Sequence, residues 1–76
     1  METRIREFFE TILQVAPESI DVHSTPEDIE SWDSFQHIVL VAAFEEEFDI
    51  CIEPEEVPEM YKDYQTFKKI VLGKLM

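Results

Sequence analysis

The segment Ser-Phe-Gln-His-Ile-Val-Leu-Val-Ala-Ala-Phe-Glu-Glu-Glu-Phe, Ser34 to Phe48, limits what this chain can become more than any other stretch. It contains neither Gly nor Pro, and Asp33 and Gln36 stand at the spacing of a capping box, so it reads as a helix of about four turns. On a wheel of about 100° per residue, Leu40, Val41, Phe44 and Phe48 form one apolar stripe. Ser34, Ile38, Ala42 and Glu45 gather on a different side, with Phe35, Val39 and Glu46 beside them. A helix that is apolar on two sides is either buried all round, here with Ile38, Val39 and Ala42 against a loop, or exposes one strip to a partner. The carboxylates at the end of that strip suit a partner with a basic rim.

The rest of the chain supplies helices to meet the first stripe. Ile5, Phe8, Phe9, Ile12 and Val15 recur at helical spacing between Glu2 and Val15, and Pro17 should end that helix. Residues 16–32 carry Pro17, Pro26 and several Ser, Thr and Asp residues and read as a long ordered loop, pinned to the core by Ile20, Val22, Ile29 and Trp32. Pro54 suits the first position of a short third helix from Glu55 to Met60, which Pro58 shortens or distorts. A fourth helix should begin near Thr66, with Phe67, Ile70, Val71 and Leu75 inward and Lys68, Lys69 and Lys74 toward solvent. His37 falls toward the core side of the second helix and is expected to bond the loop. The fold expected is all-α, a small four-helix bundle with a long loop between helices I and II and a short helix III.

With 76 residues the chain forms one domain, whose core is too small to be hollowed into a typical enzyme cleft of roughly 300 Å³ or more. No nucleophile, base and orienting group stand together as a set, which argues for a binding or carrying role over catalysis. The net charge is -12, no Lys or Arg occurs between Glu7 and Tyr61, and all but Glu2 and Asp63 of the 18 acidic residues lie in that stretch. Such a field repels phosphate backbones and attracts basic protein patches, so nucleic acid is an unsuitable partner. The single glycine, Gly73, removes glycine-rich phosphate loops and the usual calcium loop. Cys51, the only cysteine, reads as a small apolar residue between Ile50 and Ile52, and no metal site is expected. No apolar run reaches membrane-spanning length and no leader pattern is visible, so a cytoplasmic monomer is expected.

Asp33-Ser34-Phe35, then Ile38-Val39-Leu40-Val41, then Phe44-Glu45-Glu46-Glu47-Phe48-Asp49-Ile50 and an Ile-x-Ile-x-Pro continuation ending at Pro54, resemble the acyl carrier protein family. The likeness covers essentially the whole chain. It implies that Ser34, matching the family's Asp-Ser-Leu serine, receives 4'-phosphopantetheine from coenzyme A through a phosphopantetheinyl transferase. It also implies that a ligase or acyltransferase loads the arm's thiol and that downstream enzymes with basic patches act on the cargo. By the same resemblance Asp33 orients Ser34 and assists metal placement during transfer, while Phe35, Ile38, Val39, Ala42, Glu45 and Glu46 form the surface that partners read. Two positions depart from the family pattern: Trp32 replaces its common Gly and Phe35 its Leu. Trp32 with His37 looks more like carriers of specialised pathways than like the fatty-acid carrier. An aminoacyl or peptidyl carrier shares the motif, and an arm-less acidic interaction module of the same fold is a further alternative.

The charge pattern carries its own expectation. Repulsion among the carboxylates between Glu7 and Tyr61 opposes compaction, and salt screens it over about 10 Å at 0.1 M. The melting temperature should therefore rise from low to moderate salt and rise further with divalent cations. A midpoint that stays flat across that range would contradict the expectation.

Overall fold

A computed structural model describes residues 1–16 and 19–75, and among them the chain forms four α-helices and no strand. They are α1 (Glu2–Leu13), α2 (Ser34–Phe48), α3 (Glu56–Met60) and α4 (Tyr64–Leu75). None is long and apolar enough to cross a membrane. The all-α bundle with a long first loop and a short third helix is as expected.

Each helix end has a local cause, and three ends differ from expectation. α1 stops at Leu13, two residues before Val15, because Gln14 turns left-handed at φ 56° and its N–H returns to the carbonyls of Glu10 and Thr11. Pro17, expected to end the helix, lies outside the described residues. α3 begins at Glu56, so Pro54 precedes the helix instead of opening it, and Pro58 sits inside its five residues. The Glu56 carboxylate accepts from the Glu53 N–H at 2.9 Å, which fixes the turn before that helix. α4 starts at Tyr64, earlier than Thr66, because Asp63 accepts from the Thr66 N–H at 2.7 Å in the manner of an N-cap.

The core is largely aromatic. The Phe9 ring meets Trp32, Tyr64 and Phe67 edge to face, with centroids 5.0, 5.0 and 5.1 Å away. Phe44 meets Phe67 at 4.9 Å, and Phe8 closes over Phe44 and Phe48 from α1. Edge-to-face pairs of this kind add about 0.5–1.5 kcal/mol each beyond the burial of their surface. The expected stripe of Leu40, Val41, Phe44 and Phe48 is buried, as are Ile5, Phe9, Phe67 and Val71. Phe8, Ile12, Val15, Ile70 and Leu75 pack at its edge, and Leu13, four residues after Phe9, joins the core in addition to the residues expected.

The long loop is held by the core on one side and by its own turns on the other. Ile20, Ile29 and Trp32 are buried as expected, whereas Val22 is exposed. The anchor near Val22 is polar: the buried Ser24 accepts from the Tyr64 N–H through its carbonyl at 2.8 Å, tying the loop to the first turn of α4. A reciprocal Thr25 and Asp28 pair then starts a short helical turn, with each backbone N–H bonded to the other's side chain. Cys51 is an exposed free thiol, and Ile52 beside it takes the buried side of the chain.

Among the described residues, Arg4, Lys68 and Lys74 form ion pairs. Arg4 meets Glu47 at 3.1 Å and lies 5.0 Å from the centre of the Phe48 ring, while Lys68 meets Glu2 at 3.0 Å. Lys74 meets Glu56 at 2.7 Å and holds that carboxyl below the ordinary range. Lys68 and Lys74 are thus half-buried partners and not free solvent-facing charges, and only Lys69 of the three is exposed.

His37 is 3 % exposed and joins three parts of the fold. Its Nδ1 accepts from the Trp32 indole N–H at 3.0 Å, and its Nε2 lies 2.7 Å from the Val57 carbonyl in α3. An indole can only donate and a carbonyl can only accept, so the ring must be neutral with its proton on Nε2. Burial holds its pKa below the ordinary value of 6.5, and the bond to Val57 opposes this only in part. The unfolded chain therefore takes up the proton first as pH falls. Stability should be unaffected by this group above pH 6.5 and should decline below it until the folded pKa is reached. Urea midpoints for wild type and His37→Gln at pH 7.5, 6.5 and 5.5 read the effect. The stability gap between them should narrow on acidification by up to about 1.4 kcal/mol per pH unit, and a gap independent of pH would refute the bridge.

Candidate functional site

Ser34 is the first residue of α2, and its placement follows from the residue before it. Asp33 is the N-cap, extended at φ -106° and ψ -180°, and its Oδ1 accepts from the Gln36 N–H at 2.8 Å. The Asp33 carbonyl takes the His37 N–H at 2.8 Å, which closes the first turn. A cap of this type is worth about 1 kcal/mol and sets the helix start at one residue. Ser34 is exposed and free to react, and it stands where the helix's unpaired amides favour a phosphate. These residues fit a phosphate-linked group on the Ser34 oxygen: the hydroxyl is open, and the cap leaves the Ser34 and Phe35 amides without an intrahelical acceptor.

The second apolar side of α2 is uncovered. Phe35 is 69 % exposed, Ile38 64 % and Val39 40 %, and Ala42 is exposed beside them. The explanation by burial against the long loop therefore fails. Glu46 is exposed at the far end of the strip. Glu45 departs from the expected surface role, since it is half-buried and its Oε2 accepts from the Ile52 N–H at 2.8 Å, capping the turn that leaves α2. Ser34, Phe35, Ile38, Val39, Ala42 and Glu46 are thus brought onto one open side, and Glu45 is drawn partly away from it.

Behind Ser34 the His37 bridge supports the site. His37 lies one turn farther along α2, about 4.5 Å in rise, and its ring packs against Tyr61 at 4.9 Å. The Tyr61 hydroxyl reaches the Trp32 carbonyl at 3.4 Å. Trp32 and Asp33 are adjacent, so the indole that bonds His37 also fixes the chain as it enters the capping residue. Removing one partner of such a buried bond strands the other at a cost of about 1–3 kcal/mol. The partners of His37 were not predicted from the sequence beyond a bond to the loop. Its apolar neighbours in the sequence gave no sign of the Val57 carbonyl, 20 residues away.

A comparison of the sequence with known families finds a match to the phosphopantetheine attachment site family over residues 3–71. No curated protein matches the chain. The match spans α1, the long loop, α2, α3 and most of α4, and it includes the cap, the exposed serine and the uncovered strip. The chain belongs to the phosphopantetheine attachment site family, whose members carry 4'-phosphopantetheine as a covalent prosthetic group.

Proposed function

We propose that this protein is an acyl carrier that bears its arm on Ser34, performs no catalysis of its own, and serves a specialised biosynthetic pathway. The observation that carries the reading is the exposed Ser34 hydroxyl at the capped start of α2, at one end of an uncovered apolar strip. The arm's terminal thiol holds the cargo as a thioester. The Ser34 hydroxyl oxygen attacks the pantetheine-bearing phosphorus of coenzyme A, the phosphodiester forms as the pyrophosphate P–O bond breaks and adenosine 3',5'-bisphosphate leaves, and the hydroxyl proton passes to a base of the transferase or to solvent. Asp33 uses Oδ1 for the cap, and its second oxygen would assist a metal ion brought by the phosphopantetheinyl transferase. The helix amides beside Ser34 offset the phosphate's charge.

Phe35, Ile38, Val39 and Ala42 supply the apolar contact for the transferase, the loading ligase or acyltransferase, and the downstream enzymes. Glu46 attracts basic groups on those partners, and Glu45 contributes charge at the edge while holding Ile52. The work is confined to address and reach, which a small core allows. A reducing cytoplasm suits the exposed free thiol of Cys51.

Two experiments test this reading. In the first, wild type, Ser34→Ala and Ser31→Ala are incubated with coenzyme A and a broad-specificity transferase and weighed intact. Wild type and Ser31→Ala should each gain one arm and Ser34→Ala none. Since Asp33 is the cap, Ser34→Ala should change stability by less than about 1 kcal/mol. A wild type that stays unmodified, or an arm that persists on Ser34→Ala, would overturn the assignment. The second contrasts the two sides of α2: Ile38→Arg should keep the fold and weaken partner binding, whereas Phe44→Ala should cost about 3–5 kcal/mol. Unfolding of Ile38→Arg would assign that residue to the core and remove the docking strip.

A further inference from the structure

An aliphatic cargo tethered at Ser34 is driven out of water, and one way into the apolar interior is the seam between α2 and α3. α3 packs chiefly against α4, so little besides side chains spans that seam. What spans it is polar. The His37 ring reaches from α2 to the Val57 carbonyl of α3 at 2.7 Å, and the Trp32 indole holds the other side of the ring at 3.0 Å.

Aromatic rings surround this bridge. Tyr61 lies 4.9 Å from the His37 centroid and 5.9 Å from Trp32, and Phe67 of α4 lies 6.1 Å and 6.4 Å from the same two rings. Met60, Trp32 and Phe67 are fully buried. The Val57 carbonyl is available to His37 because the N–H that would follow it in a longer helix, that of Tyr61, turns instead to Pro58. A chain entering between the helices would separate His37 from Val57 or from Trp32. Either event leaves a buried donor and a buried acceptor facing hydrocarbon, which a chain of a few methylenes does not offset.

We propose that the Trp32–His37–Val57 bridge bars the α2–α3 seam to cargo, so that this carrier does not fold an aliphatic chain between those two helices. The inference rests on the reading of Ser34 as the arm-bearing residue. It makes His37 a specificity-determining residue that acts by occupying the route and not by touching the reacting thioester.

The test loads the chain with acetyl and with octanoyl arms, using acetyl-coenzyme A, octanoyl-coenzyme A and a broad-specificity transferase, and confirms each product by intact mass. Cleavage of each thioester by hydroxylamine is then measured against the corresponding acyl-coenzyme A, together with the amide spectra of the apo, acetyl and octanoyl forms. In wild type the normalised cleavage rates should agree within about twofold, and the Val57, Met60 and Phe67 amides should keep their apo positions. In His37→Leu the Trp32 N–H and the Val57 carbonyl are unpaired before any chain enters, so entry breaks no bond, and the octanoyl thioester should be protected at least about fivefold relative to acetyl. A wild-type octanoyl thioester protected about fivefold or more, with shifted Val57 and Met60 amides, overturns the proposal. The chain-length comparison on wild type decides the matter even if His37→Leu does not fold. A mass that never rises above the apo value is a separate outcome, which removes the Ser34 assignment and this inference together.

Discussion

The bridge from Trp32 through His37 to Val57 is the interaction on which the arrangement around Ser34 depends. α3 has five residues, far fewer than the roughly 12–15 at which an isolated helix becomes even marginal in water. Its place is therefore set from outside, by packing on α4, by the Lys74–Glu56 pair, and by the His37 bond to its Val57 carbonyl. The same imidazole receives the indole of Trp32, the residue that leads into Asp33 and the start of α2. One neutral ring thus couples the loop, the long helix and the short helix. The alternative at this position, an apolar residue of similar size, would leave the Trp32 N–H without its present acceptor inside an aromatic core. Stranding a group of that kind costs about 1–3 kcal/mol, comparable with burying two or three methylenes at about 0.8 kcal/mol each.

Charge is divided between structure and presentation. Arg4, Lys68 and Lys74 each pair with one carboxylate, and these pairs sit where α1 meets the end of α2, where α4 meets the start of α1, and where α4 meets α3. At the surface each contributes little to stability. Their placement leaves the middle of the chain, including the strip of α2 and Glu46, under a field of one sign. An apolar strip in such a field is selective: apolar contact supplies affinity, and the surrounding carboxylates discourage any surface that lacks positive charge.

Much of this was legible in the sequence, and the exceptions share a cause. The period of α2, its Asp33 cap and its Ser34 start were correct to the residue. The starts of α3 and α4 were misplaced by one or two residues, because side chains of Glu56 and Asp63 fix the turns there and proline spacing or apolar spacing alone does not reveal them. Val22 is expected inward from its apolar character, yet a loop residue buries only if the loop passes close enough, and here Ser24 holds the inner side.

The sequence by itself determined the four helices, the core stripe of α2 and the exposed start at which Ser34 stands. These follow from periodicity and capping, which act between residues one turn apart. Only the tertiary structure decided that the second side of α2 stays open, that Glu45 turns to the Ile52 N–H, and that His37 spans α2 and α3. Whether a face is covered, and which buried acceptor a ring nitrogen finds, depends on backbone brought together from distant parts of the chain. No local pattern carries that information.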